Sequence, residues 1–286
     1  MTFIPSVIDE SNKILLKKYG PPSPELLITD QKSIAIAFVD TETTGIDRTN
    51  DHIIEIAIKL VKFEAISGKI LNIKGSYESF NDPKEDISKD ITLLTGINND
   101  MVDGEHIDWV QVNDLFEDAD LIVAHNAGFD RAFLDRYSNI SKKKIWACSV
   151  FDIDWLGRGF SSSKQELLCY WHGFYFDAHR AMNDVDALIH LLTYDLKNFD
   201  RALIELIENS KKSEYVIFAD NFKFDPVKKD IVKGNKYRWD SNSKVWYKKV
   251  KVDELANEKD WLTAAIYNQI FEGRVEKMKP IDKYKL

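Results

Sequence analysis

The strongest constraint on the fold is an apolar segment that ends in two carboxylates. Residues 34–39 read Ile-Ala-Ile-Ala-Phe-Val, which is long enough for a buried strand, and Asp40 and Glu42 follow with one residue between them. Because side chains alternate between the faces of a strand, Asp40 and Glu42 point to the same side. Their repulsion is removed by a hard divalent cation such as Mg²⁺ or Mn²⁺, which prefers oxygen ligands. For an isolated Asp-x-Glu pair, a solvated strand end that enters a turn at Gly45 is the commoner explanation.

The composition is that of an ordinary globular protein. The 286 residues are 44% hydrophobic and 30% charged, enough for one large domain or for a domain with a smaller companion. No apolar run approaches the roughly 20 residues that span a bilayer, and residues 1–18 lack the features of a secretory signal. Cys148 and Cys169 fit neither a metal-ligand spacing nor a disulfide framework, so we interpret them as buried packing residues. We therefore expect a cytoplasmic protein, in a reducing compartment, without membrane association.

The net charge of −8 limits the classes of partner. It argues against broad, sequence-independent coating of nucleic acid, because the phosphate backbone attracts basic surfaces. This net charge is compatible with an enzyme that binds only the end of a nucleic-acid chain.

The order of the predicted elements indicates three parts. Residues 1–29 contain a predicted peripheral amphipathic helix over residues 8–18, which ends before Gly20. Residues 30–209 begin with hairpin strands and continue with strand–helix units, which predicts an α/β fold with a mixed sheet flanked by helices. Residues 210–286 form a predicted small α+β domain that is basic and Trp-rich. Within it, residues 211–251 hold twelve Lys or Arg against five Asp or Glu, a balance of +7.

The predicted elements can be given by residue range. In the larger part, strands are predicted over 34–39, 53–63, 69–77, 119–126 and 144–148, and helices over 87–94, 109–116, 164–171 and 181–198, with a further helix that starts near 128. In the small domain, a hairpin is predicted over 237–247 and a helix over 255–271.

Two later carboxylates lie where predicted helices begin. Asp130 follows the strand over 119–126, and Asp184 lies in the first turns of the helix over 181–198. Because Asp184, Leu188 and Leu192 are four residues apart, they share one helix face, and the leucines would pack on the sheet. Asp184 would then point inwards and need a partner, which a shared metal supplies. Simple stabilisation of the helix dipole is the alternative for Asp184.

His179 precedes Asp184 by five residues and falls outside the face that carries it. We therefore assign His179 to the loop that enters the helix. From that loop it could reach over the metal site as a general base, since histidine titrates near neutrality. A lone loop histidine is more often merely exposed, so the interpretation depends on the combination of residues.

Three ordered motifs give the chain a family resemblance. Residues 40–45 read Asp-Thr-Glu-Thr-Thr-Gly, residues 125–134 read His-Asn-Ala-Gly-Phe-Asp-Arg-Ala-Phe-Leu, and residues 179–184 read His-Arg-Ala-Met-Asn-Asp. Together they resemble the three exonuclease motifs of the DEDDh 3′–5′ exonucleases, and within that group the proofreading epsilon subunit of bacterial DNA polymerase III. The resemblance covers residues 33–200 and implies an RNase H-like fold.

The resemblance also implies a reaction and its residues. Two Mg²⁺ or Mn²⁺ ions would be held by Asp40, Glu42 and Asp184, and Asp130 would contact one of them directly or through water. Two such ions activate the attacking water and stabilise the departing 3′ oxygen. His179 would take the proton from that water. The expected product is a nucleoside 5′-monophosphate from the 3′ end of DNA, with single-stranded DNA as the expected substrate.

Substrate contacts are implied for five further residues. Residues 91–98 resemble the loop that meets the terminal base, which places Leu94 and Thr95 beside it. Phe129 sits where the family has an aromatic in the nucleotide pocket, and Thr43 and Thr44 belong to the first motif. A Leu near a helix end or a Phe on a helix is more often a core residue, so packing is the alternative for both.

The small C-terminal domain departs from the epsilon subunit, which ends in a flexible tail, and this puts a replicative role in doubt. Its hairpin interleaves cations with aromatic rings, namely Lys236, Arg238, Trp239, Trp246, Tyr247, Lys248 and Lys249. Such surfaces stack bases and neutralise phosphates. Trp and Tyr in a small hairpin also form its core, so docking of a protein partner or a purely structural role is the alternative.

Two other functions compete with a DNA exonuclease. An exoribonuclease would use the same site, because the chemistry applies to either backbone and recognition of the 2′-OH depends on details of the pocket. A recruitment module would use a nuclease fold only to bind nucleic acid or a protein. The complete set of four inward carboxylates and a histidine argues against such a module, because a pure binder has no need of it.

Overall fold

The computed structural model describes residues 3–4, 8, 13–20, 22–24, 32–196, 200–222 and 225–285. The chain divides into two compact units, one of residues 1–210 with 284–286 and the other of residues 211–283. None of the described helices combines the length and the hydrophobicity that a membrane span requires.

The N-terminal unit is built on a five-stranded mixed sheet. The strands of this sheet are β2 (Ser33–Thr43), β3 (Ile53–Glu64), β4 (Ile70–Phe80), β5 (Leu121–Ala124) and β6 (Trp146–Cys148), and a separate two-stranded sheet pairs β1 (Lys17–Lys18) with β7 (Phe174–Tyr175). The sheet order is β4-β3-β2-β5-β6, with antiparallel pairs from β4 to β2 and parallel pairs from β2 to β6. β2 therefore lies at the centre of the sheet, between the antiparallel hairpin strands and the parallel strands of the strand–helix units. The predicted RNase H-like mixed sheet is confirmed.

Helices cover both faces of this sheet. They are α1 (Lys89–Thr95), α2 (Asn99–Val102), α3 (Trp109–Glu117), α4 (Asp130–Leu134), α5 (Gln165–Trp171), α6 (Ala181–Thr193) and α7 (Ala202–Ser210). Alternation along β2 separates two cores: Phe38 packs in one with Leu188 of α6, and Val39 packs in the other with Phe133 of α4. Even-numbered residues of β2 therefore face α6, and odd-numbered residues face α4.

The N-terminal segment differs from its prediction. Where the sequence predicts a helix over residues 8–18, Lys17–Lys18 form β1, which runs parallel to β7. Ile8 and Ile14 form an isolated antiparallel bridge, and residues 9–12 lie outside the described residues. The N–H groups of Lys17 and Tyr19 donate to the carbonyls of Gly173 and Tyr175, both at 3.0 Å, and this backbone pairing outweighs the helical spacing of the apolar side chains.

The last helix of the large unit is shorter than predicted. α6 ends at Thr193 because Tyr194 adopts extended backbone, with φ −61° and ψ 132°. The carbonyl of Thr193 accepts a hydrogen bond from Nε of Arg201 at 2.8 Å, which satisfies a group that a continuing helix would have paired. Residues 197–199, at the predicted end of the helix, lie outside the described residues.

The C-terminal unit contains an antiparallel four-stranded sheet with helices. Its elements are β8 (Glu214–Phe218), α8 (Pro226–Gly234), β9 (Arg238–Asp240), β10 (Val245–Val250), α9 (Leu255–Leu262) and β11 (Arg274–Met278). The sheet order is β11-β8-β10-β9, so the predicted hairpin is the β9–β10 pair. The predicted long helix is α9 followed by a π-helical turn, Thr263–Tyr267, which ends where Asn268 takes φ 71°. The α+β class predicted for this part is confirmed.

Candidate active site

Three carboxylates meet at the C-terminal end of β2. Asp40 and Glu42 are even-numbered residues of this strand and therefore face α6, whose first turn carries Asp184. One carboxylate oxygen from each of Asp40, Glu42 and Asp184 lies within 4.8 Å of the other two. In the described part of the chain this is the one group of at least three side chains that could hold a metal ion.

Asp130 reaches the same strand end from the opposite face. Asn126 takes φ 67° after β5, a backbone conformation that Asn tolerates, and the turn that follows leads into α4 at Asp130. Oδ1 of the buried Asp130 accepts hydrogen bonds from the N–H of Thr41 at 3.1 Å and from its Oγ1 at 2.9 Å. Asp130 is therefore anchored by the odd-numbered residue between Asp40 and Glu42, and it lies outside the close group of three.

Burial raises the pKa of all four carboxyl groups, and the charges of neighbouring carboxylates add to this effect. The pKa of Glu42 rises to about 8, and those of Asp130 and Asp184 rise to about 7. The pKa of Asp40 is raised well above its usual value by burial and then by the charges of Asp184, Asp130 and Glu42. Groups in this environment bind protons or a cation at neutral pH. The all-oxygen donor set therefore suits a hard divalent ion.

A fifth carboxylate, which the sequence analysis did not identify, adjoins this group. Glu55 lies directly opposite Glu42 in the β2–β3 ladder and is buried. Its Oε1 accepts hydrogen bonds from the guanidinium of Arg180, at 2.9 Å from Nη2 and 3.2 Å from Nε. Its Oε2 accepts the N–H of Ala181, the first residue of α6, at 2.9 Å. The sequence offered one sign of this residue, because Glu55 is the only charged residue in the apolar segment 53–58. A charge that is buried in a strand requires a partner.

His179 lies in the loop before α6, as predicted, and its side chain is exposed. Its φ of 64° belongs to the left-handed region, which non-glycine residues seldom adopt. The backbone N–H of His179 donates to Oδ2 of Asp184 at 2.8 Å. The predicted ligand Asp184 therefore also fixes the loop that carries His179, and Glu55 holds the next residue, Arg180.

A glutamine supports the helix turn that carries Asp184. Gln165, at the start of α5, is buried, and its Nε2 donates to the carbonyl oxygen of Asp184 at 2.8 Å. Because this carbonyl belongs to the first turn of α6, the contact ties α5 to the turn that presents Asp184.

The predicted substrate residues Thr43 and Thr44 lie where β2 ends, Thr43 as its last residue and Thr44 as the first residue of the turn. Thr43 is buried, and its Oγ1 donates to the carbonyl of Gly45 at 2.6 Å. The N–H of Thr44 donates to the carbonyl of His52 at 2.9 Å, and its Oγ1 accepts the N–H of His52 at 3.0 Å. These bonds shape the turn beside Glu42, and contacts of both threonines with substrate stay a prediction.

The other three predicted substrate residues lie on α1 and just before α4. Leu94 is 54% exposed, whereas Thr95 is buried and donates from Oγ1 to the carbonyl of Ile91 at 2.9 Å. Phe129 is half-buried, and its ring lies 5.1 Å from that of Phe133. The contacts of these residues with a nucleotide also remain predictions.

Comparison with known proteins assigns the region that holds the site to one family. The model of the exonuclease family RNase_T matches residues 37–192. The PolC-type DNA polymerase III of Bacillus subtilis is 34% identical over 175 residues, which are 56% of this chain and 11% of the relative. That of Staphylococcus saprophyticus is 32% identical over 187 residues, 60% of this chain and 12% of the relative. The chain thus spans about a tenth of the length of these curated relatives.

Solved structures with a similar chain path are more distant. Exonuclease X in complex with 5′-overhanging duplex DNA is 23% identical, with a TM-score of 0.42, and the match covers 59% of this chain and 99% of that one. The zinc-bound complex of E. coli ExoI with single-stranded DNA is 16% identical, with a TM-score of 0.46, and the match covers 66% of this chain and 48% of that one.

Proposed function

Since the chain belongs to the exonuclease family RNase_T, we propose that it removes nucleoside 5′-monophosphates from the 3′ end of DNA by metal-dependent hydrolysis. The observation that carries the proposal is the group of Asp40, Glu42 and Asp184, with ligand oxygens within 4.8 Å of one another. Their pKa values are raised first by burial and then by neighbouring carboxylates, and bound divalent cations would favour the ionised forms.

Each residue of the site has a proposed role. Asp40, Glu42 and Asp184 would hold two Mg²⁺ or Mn²⁺ ions, and Asp130 would help to hold one of them directly or through water. When bound, a pair of divalent ions activates the attacking water and stabilises the departing 3′ oxygen. His179 acts as general base and takes the proton of that water. The hydrogen bond from the His179 backbone to Asp184 supports this role, because it links the base to the carboxylate group.

DNA is the proposed substrate because the relatives that match over half of this chain are named DNA polymerases. We propose that a single-stranded 3′ end enters beside Thr43, Thr44 and Thr95, with the terminal base against Leu94 and Phe129. The 54% exposure of Leu94 supports a contact with substrate, since a large apolar side chain gains by covering its surface.

Residues 30–209 form the proposed nuclease domain, and residues 210–286 form an accessory domain that guides the substrate or a protein partner. Both cysteines, Cys148 and Cys169, are buried and free, which supports the proposed location in a reducing cytoplasm.

A single assay tests the proposal. We would incubate 5′-labelled single-stranded DNA, duplex DNA and RNA with the full chain and Mg²⁺ or Mn²⁺, and separate the products by length. We expect a ladder that shortens from the 3′ end of DNA. Asp40→Ala should abolish this ladder because it removes a metal ligand, and EDTA should abolish it because it removes the metal ions.

The alternative functions give other outcomes. A ladder with RNA and intact DNA would identify an exoribonuclease. Intact substrates with either metal, together with retarded mobility of the nucleic acid, would indicate a recruitment module and refute hydrolysis.

A further inference from the structure

The C-terminal unit contains a cavity with a mixed aromatic and basic lining. Its volume is about 580 Å³, and its wall includes Phe222, Lys229, Trp239, Lys244 and Trp246. We propose that this cavity binds a nucleotide unit of a single-stranded nucleic acid, with the base on Trp239 and its phosphates beside Lys229 and Lys244. The choice of nucleic acid as occupant rests on the proposed function.

The aromatic residues of the hairpin divide into a core group and an exposed ring. Tyr237 is buried and stacks on Trp261 with ring centroids 6.0 Å apart, so it belongs to the core of the unit. Trp246 is partly buried against the same core, and across the ladder it pairs with Trp239, at 5.5 Å between ring centroids. Trp239 itself remains 50% exposed. One indole is thus held by its cross-strand neighbour while half of its surface faces the solvent, as in a platform for base stacking.

The charges at the cavity favour an anion. Lys229 and Lys244 are exposed, and within the described residues neither forms an ion pair. The acidic residue of the wall, Asp220, is already paired with Arg274 at 3.0 Å. The free charge at the wall is therefore positive, and the surrounding segment 211–251 carries a balance of +7.

Two features together select the class of ligand. Phosphate groups match the unpaired lysines, and a flat, apolar base matches the exposed indole. An acidic peptide would match the lysines but would leave the indole without a stacking partner. A single strand satisfies both features, because its bases are unpaired and free to leave the stack.

Binding in the absence of hydrolysis tests the proposal. We would titrate the full chain into fluorescein-labelled oligo-dT and oligo-U in EDTA, and measure anisotropy at several salt concentrations. Trp239→Ala should weaken binding at least about fivefold, whereas Trp239→Phe, which keeps an aromatic ring, should retain most of the affinity. The double variant Lys229→Ala/Lys244→Ala should reduce the slope of log K against log salt by about 1.4, because each phosphate contact on a single strand contributes about 0.7.

A matched control lies at the other edge of the same sheet. Lys277 is an exposed residue of β11, and Lys277→Ala should change neither the affinity nor the salt slope. Thermal unfolding of every variant would show that the C-terminal unit remains folded.

The outcomes separate this proposal from the nuclease activity. Trp239-dependent binding of either oligonucleotide supports the cavity as a nucleotide site, and the two probes distinguish DNA from RNA. Equal affinity of Trp239→Ala and the parent chain would overturn it, as would Trp239-dependent binding of a labelled poly-Glu peptide without binding of either strand. Since EDTA prevents metal-dependent hydrolysis, neither result depends on the nuclease assay, and a failed nuclease assay would leave this binding result intact.

Discussion

Glu55 binds Arg180 and the first backbone N–H of α6 with the same carboxylate. Oε1 accepts from Nη2 of Arg180 at 2.9 Å, and Oε2 accepts from the N–H of Ala181 at 2.9 Å. The central sheet is thereby joined to the loop that carries His179. Burial raises the pKa of Glu42 most, the charges of Asp184 and Glu55 add to this effect, and the charge of Arg180 offsets a smaller part of it.

We expect Glu55→Gln to lower kcat about 10- to 100-fold. This range is typical of residues that orient a metal ligand or a base through a hydrogen bond without contacting the metal themselves. The amide cannot accept both contacts, so the loop loses an anchor, and the free energy of unfolding should fall by about 1–3 kcal/mol. Steady-state kinetics on 5′-labelled DNA and denaturant unfolding measure the two effects. Glu85→Gln removes an equal charge from an exposed loop position and should change neither quantity. Full activity of Glu55→Gln would show that the loop is positioned without this ion pair.

The raised pKa values of Glu42, Asp130 and Asp184 predict how stability depends on pH. In the folded state these carboxyl groups bind protons up to about pH 7 or 8, whereas unfolded carboxyl groups lose them near pH 4. Between these values the folded state holds more protons than the unfolded state, so stability falls as the pH rises.

Thermal unfolding of the full chain in EDTA should therefore give a lower Tm at about pH 8.5 than at about pH 6. Millimolar Mg²⁺ or Mn²⁺ should raise the Tm, and more strongly at the higher pH, because cations bind the deprotonated carboxylates. Asp40→Asn removes one of the repelling charges and should flatten the pH dependence in EDTA. A Tm that rises with pH in EDTA would contradict the electrostatic description of the site.

Much of the fold could be predicted from local pattern. The apolar run before Asp40, the turn signals and the four-residue spacing of Leu188 and Leu192 predict a mixed sheet with α6 on one face, and both leucines are buried there. β8 was not predicted, although it is the strand that joins β10 to β11, because a five-residue strand has little periodicity of its own. β1 was missed for a related reason, since its backbone partner lies in β7, more than 150 residues away.

The proposed metal ligands and general base of the site were predicted from the sequence, but two of the contacts that hold them in place were not. Three motifs identified the exonuclease family, which the family match confirms, and the structure brings Asp40, Glu42 and Asp184 together. The anchor of Asp130 on Thr41 and the ion pair of Glu55 with Arg180 were not predicted. Both contacts depend on which residues lie opposite each other where β2, β3 and the helices meet. A single sequence does not specify this pairing.

Thr41 supplies a further prediction, since its hydroxyl donates to Asp130 at 2.9 Å and thereby opposes the effect of burial on the pKa of Asp130. Thr41→Val keeps the shape of the side chain but removes this bond, so the pKa of Asp130 should rise further above about 7. The acid limb of the pH–activity profile should then move upwards by about one pH unit. Thr41→Ser retains the hydroxyl and should leave the limb in place. An unchanged profile in Thr41→Val would show that ionisation of Asp130 does not set the acid limb.

The roles proposed for His179 and Asp184 can be separated by measuring metal binding and activity in the same variants. His179→Gln removes the general base and leaves the carboxylates intact, so kcat should fall at least about 100-fold while the Mg²⁺-induced rise in Tm is retained. Asp184→Asn removes a ligand oxygen charge and weakens the bond that holds the His179 backbone at 2.8 Å, so both activity and the rise in Tm should be lost. If both variants lost the Mg²⁺-induced rise in Tm equally, the result would indicate that His179 is itself a metal ligand. Retained activity in His179→Gln would assign the proton of the attacking water to another acceptor.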